Sequence, residues 1–247
     1  MKTELHIHTS HSCDSLLSIR LLALLCRLNA VDCIAVCDHN TISGAIKAKQ
    51  YFLKHHINVI IGEEIFTADG EIIGLFLNSE IPAGLSSEET AERIMAQGGM
   101  VYIPHPYDAK RYKTVLRTDK IKKLAPVTDF IEIYNGRNIE NSFSQKQQET
   151  ADKYTDPSQT VRVAGSDAHA WFEVGRNYMI SDSYDTNSPS EFKEAMRAAE
   201  RKTAPCSAFS HFHTKIVRLF KLLLKGNFNE LYRIILRKCV KGNKEVS

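Results

Sequence analysis

Long apolar runs are missing from this chain. No stretch approaches the roughly 18 residues needed to cross a bilayer, and the opening residues, Met1-Lys2-Thr3-Glu4-Leu5-His6, lack the hydrophobic segment of a secretory leader. The expected location is therefore the cytoplasm. Cysteine is sparse: the six, at 13, 26, 33, 37, 206 and 239, show no Cys-x-x-Cys spacing. They fall short of the density of a disulfide-stapled scaffold, which argues for reduced thiols and against structural zinc held by cysteine.

What is present suits one globular enzyme. At 247 residues, 43% hydrophobic and 25% charged, the chain can bury a single core in the size range of one α/β barrel. The net charge of +3 is uneven. From Pro205 onward nine Lys and Arg stand against two Glu, giving that stretch +7 and leaving −4 for the rest. A mildly acidic body over residues 1–204 and a basic tail over 205–247 are expected.

The body alternates apolar runs with helical patterns. Thr3-Glu4-Leu5-His6-Ile7-His8-Thr9 has the period of a strand, with Leu5 and Ile7 on one face and His6 and His8 on the other. The following Ser10-His11-Ser12-Cys13-Asp14 adds another possible ligand on the adjoining loop. Residues 15–29 read as a helix. Asp32-Cys33-Ile34-Ala35-Val36-Cys37 is a strand covered on both faces, ending at Asp38-His39-Asn40, with a helix over 41–55.

Asn58-Val59-Ile60-Ile61-Gly62 ends in Glu63-Glu64, and the segment after Asp69-Gly70 reads as a hairpin partner or insertion. Ser86 and Glu89 have capping-box spacing before a helix that runs to Gly98-Gly99. Further strands are expected at 100–103 before His105, at 129–134 containing Glu132, at 161–164 before Gly165-Ser166-Asp167-Ala168-His169, and at 175–180. Helices fill 117–124, 139–154 and 189–201. If the path past Gly165 stays extended, Asp167 and His169 face one space.

This βα alternation, at about 25–30 residues per unit, predicts a parallel barrel of seven units with a helical C-terminal extension. Barrel enzymes carry their chemistry at the C-terminal strand ends, and here those ends bear His6/His8, Asp38/His39, Glu63/Glu64, His105, Glu132 and Asp167/His169. Taken singly, each histidine reads as an ordinary buried or surface residue; the set does not. Histidine with carboxylate and no cysteine suits Mn²⁺, Zn²⁺ or Fe²⁺. So many donors exceed what one tetrahedral ion uses, which predicts two or three divalent ions sharing a carboxylate. Hydroxide from bound water would be the nucleophile, and clustered cations suit a phosphoryl group in transfer.

His6-Ile7-His8-Thr9 with Asp14, Asp38-His39-Asn40, Gly62-Glu63-Glu64-Ile65, Pro104-His105-Pro106 and Gly165-Ser166-Asp167-Ala168-His169 resemble the ordered motifs of the PHP (polymerase and histidinol phosphatase) superfamily, from residue 3 to about residue 180. The resemblance implies a distorted seven-stranded (β/α) TIM-like barrel with a trinuclear metal site. His6, His8, Glu64 and Asp167 would hold one ion. Glu64, chosen over Glu63 on the family pattern Gly-x-Glu-Ile, would bridge to a second, shared with His105. Asp14, His39 and His169 would hold the third.

Where many relatives carry a histidine this chain has Glu71, a candidate ligand for the second ion. Where some carry another beyond the fifth strand, the candidates are Glu132 and Asn135. Asp38 is expected to orient an imidazole from outside the ligand set, and Arg111 and Arg137 to bind the substrate phosphate.

The resemblance also implies a phosphomonoesterase acting on a small phosphorylated metabolite or nucleotide, with a 5′ to 3′ exonuclease on short oligonucleotides as the alternative. A third reading is a catalytically weakened barrel that recruits nucleic acid or membrane through its tail. In that tail Ile216, Val217, Leu219, Phe220, Leu223 and Leu224 share one side of a helix and Lys215, Arg218, Lys221 and Lys225 the other; residues 231–239 repeat the pattern weakly. The favoured expectation is that the apolar face docks on the barrel, ahead of nucleic-acid or membrane contact. Aromatics are few on the basic side, so single-strand stacking is not signalled. His211 and His213 fall outside the strand-end pattern and are expected to be non-ligands.

Overall fold

The computed structural model describes residues 1–108, 114–138, 141–207 and 209–228. In chain order its elements are β1 (Lys2–Ile7), α1 (Ile19–Leu28), β2 (Cys33–Val36), α2 (Ser43–Phe52), β3 (Asn58–Thr67), β4 (Gly70–Leu75), α3 (Ser87–Ala96), β5 (Met100–Ile103), α4 (Thr118–Leu124), β6 (Phe130–Asn135), α5 (Asn141–Tyr154), β7 (Val161–Gly165), β8 (Tyr178–Ile180), α6 (Pro189–Ala198), β9 (Glu200–Lys202) and α7 (Phe209–Leu224).

All nine strands join one sheet in the order β7-β6-β5-β4-β3-β2-β1-β8-β9. The sheet curls until its ends nearly meet. Ile7 bridges Ala168 in parallel register, the His8 amide donates to the Ala168 carbonyl at 2.8 Å, and the Ala168 amide donates to the His6 carbonyl at 3.2 Å.

The sheet therefore differs from a ring of seven parallel strands. β1-β2-β3 and β5-β6-β7 are parallel runs, but β4 pairs antiparallel with both β3 and β5 and stands between them as a member of the sheet. β8 lies antiparallel against Lys2 and Thr3 of β1, and β9 antiparallel against β8. β9 occupies ground expected to be the end of a helix: α6 stops at Ala198, and Glu200-Arg201-Lys202 is an exposed edge. An apolar run reveals a buried strand but not its direction, and a three-residue charged strand carries no pattern at all.

Three apolar clusters hold the layers. Leu5, Ala35, Ile60, Ile73, Tyr102, Phe130 and Val163 share one with Phe192 and Met196 of α6. Strands from around the whole sheet meet in that cluster only because the sheet closes on them, and α6 plugs it, with the Phe192 ring 5.5 Å from Phe130 and 5.3 Å from Phe76. Each fully buried Leu, Ile, Val, Phe or Met there contributes about 1.5–3 kcal/mol. A second cluster packs α1 and α2 outside β1 to β3, and a third packs α3 and α4 outside β4 to β6.

Serines cap the starts of α1, α3 and α6. Ser18, Ser86 and Ser188 accept from the amides of Leu21, Glu89 and Glu191, satisfying N–H groups that a helix cannot pair internally.

β1 departs from simple alternation. Its register against β2 shifts between Glu4 and Ile7, and Leu5 packs in the enclosed cluster while Ile7 packs in the outer one. The irregularity replaces the expected shared face of Leu5 and Ile7, as a bulge re-aims side chains. His6 and His8 nonetheless remain together.

Candidate metal centre

The site begins with that histidine pair. Nε2 of His6 and Nε2 of His8 are 3.1 Å apart and wholly buried. β3 supplies the carboxylate they face. Its first half pairs with β2 and its second with β4, and at the changeover His39 bridges Glu64 in parallel register. Two bonds fix that junction: the Glu64 amide donates to the Asp38 carbonyl and the Asn40 amide to the Glu64 carbonyl. Oε2 of Glu64 then lies 3.3 Å from Nε2 of His6, 3.2 Å from Nε2 of His8 and 3.3 Å from Nδ1 of His39, while Oε1 lies 3.1 Å from Nε2 of His105.

The remaining donors close around this carboxylate. Nε2 of His105 is 3.4 Å from Glu71, Oδ1 of Asp167 is 3.5 Å from Nε2 of His8, and Oδ2 of Asp14 is 3.4 Å and 3.2 Å from Nε2 of His39 and His169. His105 and Asp167 both adopt positive φ, 28° and 53°. The extended path expected past Gly165 thus breaks at Asp167, a strained conformation of the kind found where side chains are held for function. Among the described residues three groups have ligand atoms within 4.8 Å of one another: His8, Asp14, His39 and His169; His6, His8 and Asp167; and His39, Glu64 and Glu71.

Charge follows from this crowding. Burial opposes ionisation of Glu64, but His6 and His39 outweigh it and hold the carboxyl well below its ordinary value; His169 and His39 do the same for Asp14. His6 is raised well above its usual range against burial by Glu64, Glu132 and Asp167, and His8 is raised to about 9 by Asp167 and Glu64. His169 goes the other way, lowered to about 4 by burial and by His8 and Arg137. Burial is the largest cause, and the Arg137 guanidinium 2.9 Å from Nδ1 adds to it by disfavouring a second cation there.

The donor set fits bound cations. Two imidazole nitrogens 3.1 Å apart cannot both direct a hydrogen at each other, and one carboxylate oxygen within 3.3 Å of three imidazole nitrogens lacks room to be bonded well by all. A divalent ion between such atoms replaces those frustrated contacts with coordination bonds.

Four expectations change. Asp38 orients no imidazole: Oδ1 accepts from the Thr9 amide at 2.5 Å and Oδ2 from the Thr9 hydroxyl at 2.6 Å, so it anchors the loop after β1. Glu132 is not left available as a ligand. Oε1 accepts from Nδ1 of His6 at 2.8 Å and from the Tyr102 hydroxyl at 2.6 Å, and Oε2 from the His105 amide at 2.7 Å and Asn135 at 2.8 Å. It is the residue that orients an imidazole, a role with no mark in the sequence beyond a carboxylate at a strand end.

Arg137 is 3% exposed and bonded away from solvent, its Nη2 donating to the Ser210 carbonyl and Thr214 hydroxyl of α7 and its Nε 3.5 Å from Glu173. It holds α7 and His169 rather than standing open for a phosphate. Arg111 lies outside the described residues. The fourth change is α7, which runs beside the site with Lys221 Nζ donating to the Ser10 and Ser12 carbonyls at 2.6 Å. Its apolar face is turned outward: Phe212, Ile216, Phe220 and Leu223 are exposed while Ser210 and Val217 are buried. His211 contacts the Arg137 carbonyl and takes no part in the donor groups.

Residues 4–171 match the family model described as the PHP domain. The chain belongs to the PHP family. An uncharacterised protein of Methanocaldococcus jannaschii is 34% identical over 208 residues, covering 82% of this chain and 81% of that one; a second from the same organism is 44% identical over 117 residues, covering 43% and 68%. In fold, this PHP chain is similar to a two-domain protein of Bacteroides vulgatus that contains a predicted PHP-like metal-dependent phosphoesterase, with TM-score 0.65, 17% identity and 82% of this chain covered. The match spans 64% of that longer protein. No helix among the described residues is long and apolar enough to cross a membrane.

Proposed function

We propose that this PHP protein is a metal-dependent hydrolase that removes phosphate from a small phosphorylated molecule, with residues 1–204 as the catalytic unit and 205–247 as an extension. The observation that carries this reading is the convergence of five imidazoles on Glu64, Asp14, Asp167 and Glu71 inside 4 Å contacts.

His6, His8 and Asp167 would hold one divalent ion; Asp14, His39 and His169 another; and His105 with Glu71 a third, with Glu64 placed to serve more than one. Manganese, zinc and iron all suit these donors. Bound there, such ions would acidify water and neutralise phosphoryl oxygens.

The chain's own residues supply positioning. Glu132, braced by Tyr102 and Asn135, fixes the ring of His6 and the backbone of His105. Arg137 ties the ring of His169 to α7, through Nδ1 of the ring on one side and the Ser210 carbonyl on the other. Arg111, which falls between β5 and α4 in the sequence, is assigned to the substrate phosphate by that position.

The test is reconstitution of the full chain with Mn²⁺, Zn²⁺ or Fe²⁺, elemental analysis of the washed protein, and phosphate release from p-nitrophenyl phosphate and from short oligonucleotides. Two or three ions per chain with turnover of the monoester support the reading. Absence of bound metal overturns it, and release of successive nucleotides in place of terminal phosphate would make the enzyme an exonuclease.

A further inference from the structure

We infer that the outward ridge of α7 is a docking surface for an anionic lipid bilayer. The helix is seated the wrong way round for an ordinary surface helix. Its inner face is Ser210, Thr214, Val217 and Lys221, spaced four, three and four residues apart, and polar bonds hold it there: Arg137 to the Ser210 carbonyl and Thr214, and Lys221 to the Ser10 and Ser12 carbonyls. Rolling the helix to bury its apolar side would break all four. Phe209, Phe212, Ile216, Phe220 and Leu223, spaced three, four, four and three apart, are consequently 47–57% exposed and form one continuous stripe.

The stripe spans about 21 Å of helix. Aromatic rings extend it past both ends: Trp171, 62% exposed, stacks edge-on against Phe172, which in turn meets Phe209, and Phe228 lies exposed beyond Gly226. Contiguous exposed apolar surface of this kind marks an interaction site.

Charge selects the occupant. Residues 209–228 contain Lys215, Arg218, Lys221 and Lys225 and no Asp or Glu, and Lys215, Arg218 and Lys225 are exposed. A second copy pairing ridge to ridge would set two acid-free basic helices against each other. An acidic headgroup layer over an apolar interior compensates the lysines and accepts the rings together, and a convex ridge suits a deformable boundary. The body of the chain, at −4, is repelled by the same surface, so α7 sets the orientation.

The experiment is co-sedimentation of the full chain with vesicles of phosphatidylcholine alone and of phosphatidylcholine mixed with phosphatidylserine, with Trp171 fluorescence read in parallel and mass measured by light scattering. Binding to the phosphatidylserine vesicles only, weakened by salt, with a blue shift of Trp171, is expected. The double variant Phe212→Ser/Phe220→Ser should bind roughly tenfold more weakly or less, and Lys215→Glu/Lys225→Glu likewise, with melting midpoints unchanged because all four side chains lie at the surface. Failure of the parent chain to bind, binding indifferent to the Phe pair, or a concentration-dependent dimer that the Phe pair abolishes would each overturn the proposal.

Discussion

Oε1 of Glu132 lies 2.8 Å from Nδ1 of His6 and accepts its hydrogen, which fixes the ring so that Nε2 faces Glu64. Replacing that carboxylate weakens the imidazole as a donor without touching a proposed ligand. Glu132→Gln should lower affinity for divalent metal by about 10–100-fold, measured by calorimetric titration, with the circular dichroism spectrum intact.

The same carboxylate is reached from β7. A Cβ placed on Gly165 would lie 1.9 Å from Oε1 of Glu132 and 3.1 Å from the Tyr102 hydroxyl. Gly165→Ala should therefore displace Glu132 and reproduce the metal-binding defect of Glu132→Gln, with an added loss of stability of about 1–3 kcal/mol from overpacking in a urea melt.

Arg137 links His169, Glu173 and α7. Arg137→Met leaves the Glu173 carboxylate buried beside an apolar chain, and breaking such a pair costs about 3–5 kcal/mol. Hydrogen exchange should show the amides of α7 losing protection before those of the barrel strands.

Acid sensitivity is expected away from the metal centre. Lys123, Lys120 and Ser87 hydrogen-bond Glu88 and hold its carboxyl below its ordinary value of 4.5. A carboxyl depressed in the folded chain contributes stability above its unfolded value and loses it as pH falls. Because these groups are partly exposed, the contribution is at most about 1 kcal/mol. Lys120→Met/Lys123→Met should flatten the fall in melting midpoint below pH 4.5 and lower the midpoint slightly at pH 7.

The plug of the barrel is the last test. Phe192 is fully buried among Phe76, Phe130 and Tyr184. Phe192→Ala should cost about 3–5 kcal/mol in chemical denaturation, with metal stoichiometry retained in the fraction that stays folded.

The sequence made the donors legible because strand periodicity and strand ends are local properties: His6 and His8 sit two apart whatever the rest does, and His39, His105 and Asp167 each follow an apolar run. Direction and rotation are not local. β4 reads like any buried strand, yet its antiparallel place depends on both neighbours. The wheel of α7 gives its apolar arc but not the fact that Arg137 and Lys221 hold the opposite side down. Glu132 reads like one more ligand because hydrogen bonds from β1, from β5 and the residues just after it, and from Asn135 on its own strand leave no trace in the order of residues.

The seam between β1 and the segment after β7 joins residues more than 150 positions apart. At about 5–20 residues per second of synthesis, Asp167 and His169 leave the ribosome on the order of 10–30 s after His6 and His8. Through that interval the nascent chain carries only part of the donor set and an unclosed strand edge, so the complete set can assemble only after residue 169 has been made.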